Sequence, residues 1–156
     1  MPTGGGIVYP SPTDDPNVPQ DLQAMAESIE AGLTRITTGF TVGTGWSLTS
    51  FSAKRVGAFV AVRVLVARTG AAITVGTSDA AQGVLSAVSA LGTMPAGYIP
   101  SAVAGLNQAG NGRAGAGGYI DTSGVVTLQS IGAVPGASTP NVVTGTTISL
   151  GGVYLL

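Results

Sequence analysis

Hydrophobic positions along the chain change period near residue 36. In residues 18–36, VPQDLQAMAESIEAGLTRI, apolar or small residues fall at Val18, Leu22, Met25, Ile29, Gly32 and Ile36. The steps alternate between four and three, which lays one stripe along a helix. They also match a heptad seam, with Leu22, Ile29 and Ile36 at a, and Val18, Met25 and Gly32 at d; Leu33 widens the stripe. Asn17 stands at the N-cap, with Gln20 three residues on as in a capping box. Pro19 suits the first turn, and Asp21 suits the positive helix end. A helix this short is marginal alone. It is expected either as a stalk whose seam is shared between copies or as an amphipathic helix lying on its own domain.

From Phe40 onward the period is two. Val60, Val62, Val64 and Val66 alternate with Phe59, Ala61, Arg63 and Leu65, which predicts a strand apolar on both faces and covered on both. Trp46, Leu48 and Ser50 alternate in an earlier strand, and Ile73 and Val75 mark a short one. Residues 83–91, GVLSAVSAL, fit a strand or a helical turn equally. Residues 94–100, MPAGYIP, read as a loop, and Ile120 to Val125 as strand, turn and strand. Residues 147–150 and 153–156 read as two terminal strands broken by Gly151-Gly152. Short strands at roughly 8 to 12 residue spacing point to a sandwich or jelly roll. Ahead of these, Pro2, Pro10, Pro12, Pro16 and Gly4 to Gly6 make residues 1–17 an extended arm with no core. The expected fold is mainly β: a jelly-roll or β-sandwich knob over 37–156, preceded by an extended attachment arm (1–17) and a short stalk helix (18–36).

Composition then constrains how such a chain survives in water. Only 8% of its 156 residues are charged, 44% are hydrophobic, and the mean hydropathy is +0.44. A monomer this apolar would expose sticky patches. A transmembrane helix is not the explanation, because the most apolar run, Val56 to Ala67, is broken by Arg63 and falls short of roughly 18 residues. The start of the chain has no basic n-region and no apolar h-region, so it does not read as a signal peptide. Aromatics at 5% are too few for the girdles of a membrane barrel. Self-association explains the composition better, and no membrane insertion is expected. There is no cysteine and no histidine, so neither disulfides nor thiolate metal sites can staple the fold. Charge is uneven. Asp14, Asp15, Asp21, Glu27 and Glu30 fall in the first thirty residues with no base among them. Such an acidic terminus can dock on a basic partner surface or simply be solvated. The six bases are scattered, and no nucleic-acid partner is expected.

Candidate chemistry is thin. Gly110-Asn111-Gly112-Arg113-Ala114-Gly115 matches G-x-G-x-x-G in letters only; a strand signal follows, where dinucleotide binding needs a helix and a distant acid. Asp14-Asp15 sit in a proline-rich arm that cannot hold two acids at a fixed separation. No histidine exists to activate a serine, and Asp121 reads as a turn former. No enzyme activity, catalytic residue, metal site or cofactor is expected. For ligand recognition the candidates are Trp46, Tyr98 and Tyr119, with the candidate receptor-facing loop Asn107, Gln108, Asn111 and Arg113. The structural alternative makes Trp46 core and Tyr98 a staple of its own loop.

Five stretches carry a resemblance. Residues 9–27, from Tyr9-Pro10 through Asp14-Asp15-Pro16-Asn17-Val18-Pro19-Gln20-Asp21-Leu22 to Glu27, resemble segments that open short modules in tail-fibre and minor-tail proteins of phages infecting actinobacteria. GWSLTSFSAKRVGAFVAVRVLVART, MPAGYIP and IDTSGVVTL look like parts of knob domains from such proteins, and ISLGGVYLL like their closing strand. Such knobs are similar to the trimeric C1q/TNF-like jelly roll. The resemblance implies a homotrimeric virion protein with its trimer seam at Val18, Leu22, Met25, Ile29 and Ile36. It further implies attachment to other virion proteins through residues 1–17 and a knob presented for host contact, with a host-surface glycan as the expected ligand. Long fibres have a shaft, and this chain has neither a collagen-like run nor extended heptads. A capsid decoration protein and a carbohydrate-binding module therefore stand as alternatives.

Overall fold

The structure is a computed structural model that describes residues 20, 22–27, 33–74, 83–108, 116–132 and 142–156. Among these residues the fold is mainly β, as expected from the period-two pattern. Its strands are β1 (Arg35–Ile36), β2 (Thr41–Val42), β3 (Trp46–Val56), β4 (Phe59–Arg68), β5 (Val84–Thr93), β6 (Ala104–Gln108), β7 (Ala116–Ile120), β8 (Val125–Ile131) and β9 (Thr147–Leu155). They form one antiparallel sheet in the order β1-β3-β4-β9-β6-β7-β8-β5-β2, curled into a half-barrel. This is the β-sandwich type of knob that the strand spacing predicts.

Chain connectivity forces the curl. β1 and β2 lie at opposite edges of the sheet, yet Ile36 and Thr41 are five residues apart in the chain. Five residues span at most about 18 Å, whereas eight gaps of about 4.8 Å would separate the edges of a flat sheet by about 38 Å. The sheet must therefore fold back until its edges nearly meet. Residues 35–46 lace them together. Arg35 and Ile36 pair with Lys54 and Ala53 of β3, then Thr41 and Val42 pair with Thr93 and Gly92 of β5. The Gly43 amide donates to the Leu91 carbonyl at 2.8 Å before the chain enters β3. Side chains close the same seam. The Phe40 and Phe51 rings stack at 5.3 Å, and the Trp46 indole N–H donates to Ser89 Oγ at 3.1 Å.

The concave side holds the core. Val60, Val62, Val64 and Val66 of β4 point into it, with Leu106, Ile120, Leu128, Ile148 and Leu150 from β6 to β9. The other face of β4 departs from expectation: Phe59, Ala61 and Arg63 are exposed and Leu65 is half-buried. One curled sheet has a single concave side to fill, so a strand apolar on both faces keeps one of them open to solvent in the protomer.

The helix is shorter than the heptad spacing predicts. Helical backbone is described at residues 20 and 22–27, where the Gln23 amide donates to Glu27 one turn on at 2.8 Å. Leu33 is in a turn, and Arg35–Ile36 is a strand. The stalk helix therefore does not reach residue 36, and Ile36 leaves the proposed trimer seam. It packs against the core of its own domain, because the open edge of β3 offers its backbone partners that a frayed helix end lacks. Val18, Ile29 and the arm 1–17 lie outside the described residues.

Three smaller outcomes follow from pairing. Residues 84–93 resolve to strand, hydrogen-bonded along β8. Asp121 builds the β7–β8 turn, its Oδ1 accepting from Ser123 N at 2.9 Å, Ser123 Oγ at 2.6 Å and Val125 N at 2.9 Å. Gly151-Gly152 do not break the last strand: they pair with Arg63 and Val62 inside a continuous β9. A Cβ on Gly152 would meet Leu106 Cδ2 at 2.9 Å and the Gly105 carbonyl at 3.0 Å, so glycine here allows β6 and β9 to approach.

The lacing generates a test. Phe40→Ala removes half of the ring stack that bridges the edges, and is expected to cost about 3 kcal/mol or more, the scale of a buried aromatic truncation. Urea unfolding of the two proteins measures it; a loss below about 1 kcal/mol would show that the edges hold without the stack.

Candidate functional site

The β domain has two unlike ends. At one end lie the β3–β4 turn at Gly57-Ala58, the end of β9 and the start of β6, with the Ser101 amide donating to the Leu155 carbonyl at 3.4 Å. The N-terminal segment joins here, since Arg55 N donates to the Thr34 carbonyl at 3.1 Å. From this end β6 runs toward the other, where Trp46 of β3 pairs with Arg68 of β4. The described residues that flank 75–82, 109–115 and 133–141 lie on that opposite side.

Asn107 and Gln108, from the candidate receptor-facing loop, are exposed near the far end of β6, opposite Gly151 and Leu150 of β9. Asn111 and Arg113 lie outside the described residues. Trp46 is core, 5% exposed. The Arg68 guanidinium lies 5.0 Å from its ring centroid and donates from Nε and Nη2 to the Ala71 carbonyl at 2.9 and 2.7 Å. This cation–π clamp closes the β4 end. Tyr119 is half-buried. Of the seam residues, Leu22 is 58% exposed and Met25 half-buried.

The loop 94–100 is held by Tyr98, which is half-buried against the core, and also from outside. The Tyr154 hydroxyl donates to the Tyr98 carbonyl at 2.5 Å, and burial pushes that hydroxyl up to about 12. Beside it, on the convex face, runs a shallow groove of about 420 Å³ whose lining includes Phe59, Val103, Gly105, Val153, Tyr154 and Leu155. The period-two pattern missed this surface because it assigned Phe59 to a covered face. The available signal was Arg63 on the same face, a cation that a doubly covered strand would have had to bury.

Among the described residues no three His, Cys, Asp or Glu side chains come together to hold a metal ion. The Asp121 carboxyl is held below its ordinary value because the Ser123 hydroxyl and the Val125 amide hydrogen-bond its charged form. That is turn architecture.

No protein-family model and no curated protein matches the chain. Among solved structures, the receptor binding protein (gp15) of Listeria phage PSA superposes with a TM-score of 0.45 and 16% identity, over 92% of this chain and 81% of that one. At that TM-score the fold is read from the strands themselves.

Tyr154 supplies a pH test. The folded chain keeps a proton that the unfolded chain releases near 10.0, so between there and about 12 the folded state binds more protons. Stability therefore falls as pH rises through that window. Tyr154→Phe should remove this part of the fall. At neutral pH it should cost about 1 kcal/mol, because the Tyr98 carbonyl loses its donor. Urea unfolding of both proteins at neutral pH and near pH 11 reads both effects; an identical alkaline slope in the variant would refute the staple.

Proposed function

We propose that the chain is a non-enzymatic structural protein of a bacteriophage particle, a homotrimeric surface knob of tail-fibre or tail-tip type presented for host contact. The observation that carries this reading is the polarity of the β domain. The N-terminal segment enters at one end, and the strand ends that flank residues 75–82, 109–115 and 133–141, with the exposed Asn107 and Gln108 among them, lie toward the other. A body anchored by its N-terminus thus offers its opposite end outward. The resemblance of residues 9–27 and of the knob strands to phage tail proteins supplies the context. The low charge of the chain supports assembly with copies of itself. On this reading residues 1–17 attach to other virion proteins, and the outward loops meet a host-surface glycan.

One feature favours a second reading, a capsid decoration protein held by the same arm: no collagen-like run or long heptad shaft stands between arm and knob. Gold-labelled antibody on intact particles separates the two. Label at the tail supports the first reading, label spread over the capsid replaces it with the second, and particles without label overturn both.

The shortened seam remains part of the proposal, with Val18, Leu22, Met25 and Ile29 shared between copies. Ile29→Asp should weaken assembly by about 3 kcal/mol, since it buries unpaired charge. Glu27→Lys, on the exposed side, should change it by less than about 0.5 kcal/mol. Equal effects in sedimentation equilibrium would remove the seam. Deleting residues 1–17 should leave the knob's Tm nearly unchanged and abolish incorporation into particles. A truncated protein that still decorates particles would contradict the attachment role.

A further inference from the structure

The convex face carries a block of apolar side chains that the protomer leaves open. Val56, Phe59 and Leu155 stand side by side across β3, β4 and β9, and Ala61 and Val153 form the next row. Phe59 is 58% exposed, Val153 67%, Leu155 53% and Val56 47%; across the groove Val103 is 66% exposed. Together they present on the order of 500 Å² of contiguous apolar surface, at the upper end of what soluble monomers leave in water. An interface side of standard size buries about 800 Å² with an apolar centre and a polar rim, so this patch is the size of one such centre. The groove of about 420 Å³ beside it gives the relief into which a partner side chain can seat.

Charge decides how a second copy can meet it. β3, β4 and β9 carry four bases, Lys54, Arg55, Arg63 and Arg68, and no acid. Lys54 and Arg63 are exposed, and their register places them on the same face as Ala61 and Phe59. Two patches meeting with these cations near a two-fold axis would set them against each other. A contact with a different face of the next copy avoids that opposition, and such heterologous contacts form a ring when the rotation between copies closes.

We propose that the Val56, Phe59, Val103, Val153 and Leu155 surface is where one knob packs, head to tail, against a second copy of this chain. The proposal rests on the self-association reading above and names the surface that performs it.

The test uses the full chain. In sedimentation equilibrium the unchanged protein assembles, and the double variant Phe59→Asp with Val153→Asp shows a dissociation constant raised about a hundredfold or more. Val143→Asp, at an exposed position outside the patch, assembles as before. A second measurement covers a variant that fails to fold. The chain has no cysteine, so Val153→Cys carries a unique thiol. Its maleimide labelling should slow about tenfold or more between dilute, dissociated protein and concentrated, assembled protein. A patch variant that assembles like the unchanged chain, or a thiol labelled equally fast in the assembly, overturns this surface and leaves it to a different partner. An unchanged chain that stays monomeric overturns the self-association reading itself, and this inference with it.

Discussion

Everything in this fold depends on bringing the two edges of a nine-stranded sheet to within a few residues of each other. β1 and β2 are two-residue strands at opposite edges, and the short link between them cannot cross a flat sheet. Backbone groups along an open edge must find partners or face solvent. Residues 35–46 supply partners to both edges in one pass. The aromatic stack of Phe40 on Phe51 and the Trp46–Ser89 hydrogen bond then fasten the seam from the inside. The core is a consequence of this closure: a curled sheet has a concave side, and the alternating valines of β4 are the residues that fill it.

The same closure gives the molecule its polarity. Because the segment that laces the edges also connects the domain to the N-terminus, the chain must arrive at the Lys54–Arg55 end of β3. The convex face near that arrival point is apolar and rimmed by cations, while the strand ends that flank residues 75–82, 109–115 and 133–141 lie at the opposite end.

How much of this was legible in the sequence follows from which interactions are local. The alternation of Val60 to Val66 reports a strand because strand geometry itself has period two, and Asp121-Thr122-Ser123-Gly124 reports a turn because the carboxylate bonds its own neighbours. Non-local pairing was invisible. Ile36 fits a heptad seam by spacing, yet its partner Ala53 lies on a strand that only the folded sheet brings near. Gly151-Gly152 look like a break until Leu106 and Gly105 are seen close beside Gly152. Residues 83–91 were ambiguous because short apolar runs lack a decisive period; the ladder to β8 decides them. The groove beside Tyr154 escaped notice for a related reason. Periodicity says which residues share a face, but whether a second layer covers that face is a property of the whole fold. Asn107 and Gln108, expected in an exposed loop, are exposed but belong to the end of β6, whereas Asn111, Arg113, Val18 and Ile29 fall outside the described residues.

The edge closure is the claim on which the rest stands, and native-state hydrogen exchange reads it residue by residue. The amides of Gly43 and Arg55, which bond to Leu91 and Thr34 across the two edges, should exchange only through the same global opening that exposes Val64 at the centre of β4. If those two amides instead exchange freely while Val64 stays protected, the edges fray independently of the core, and the lacing of residues 35–46 does not hold the sheet in its curl.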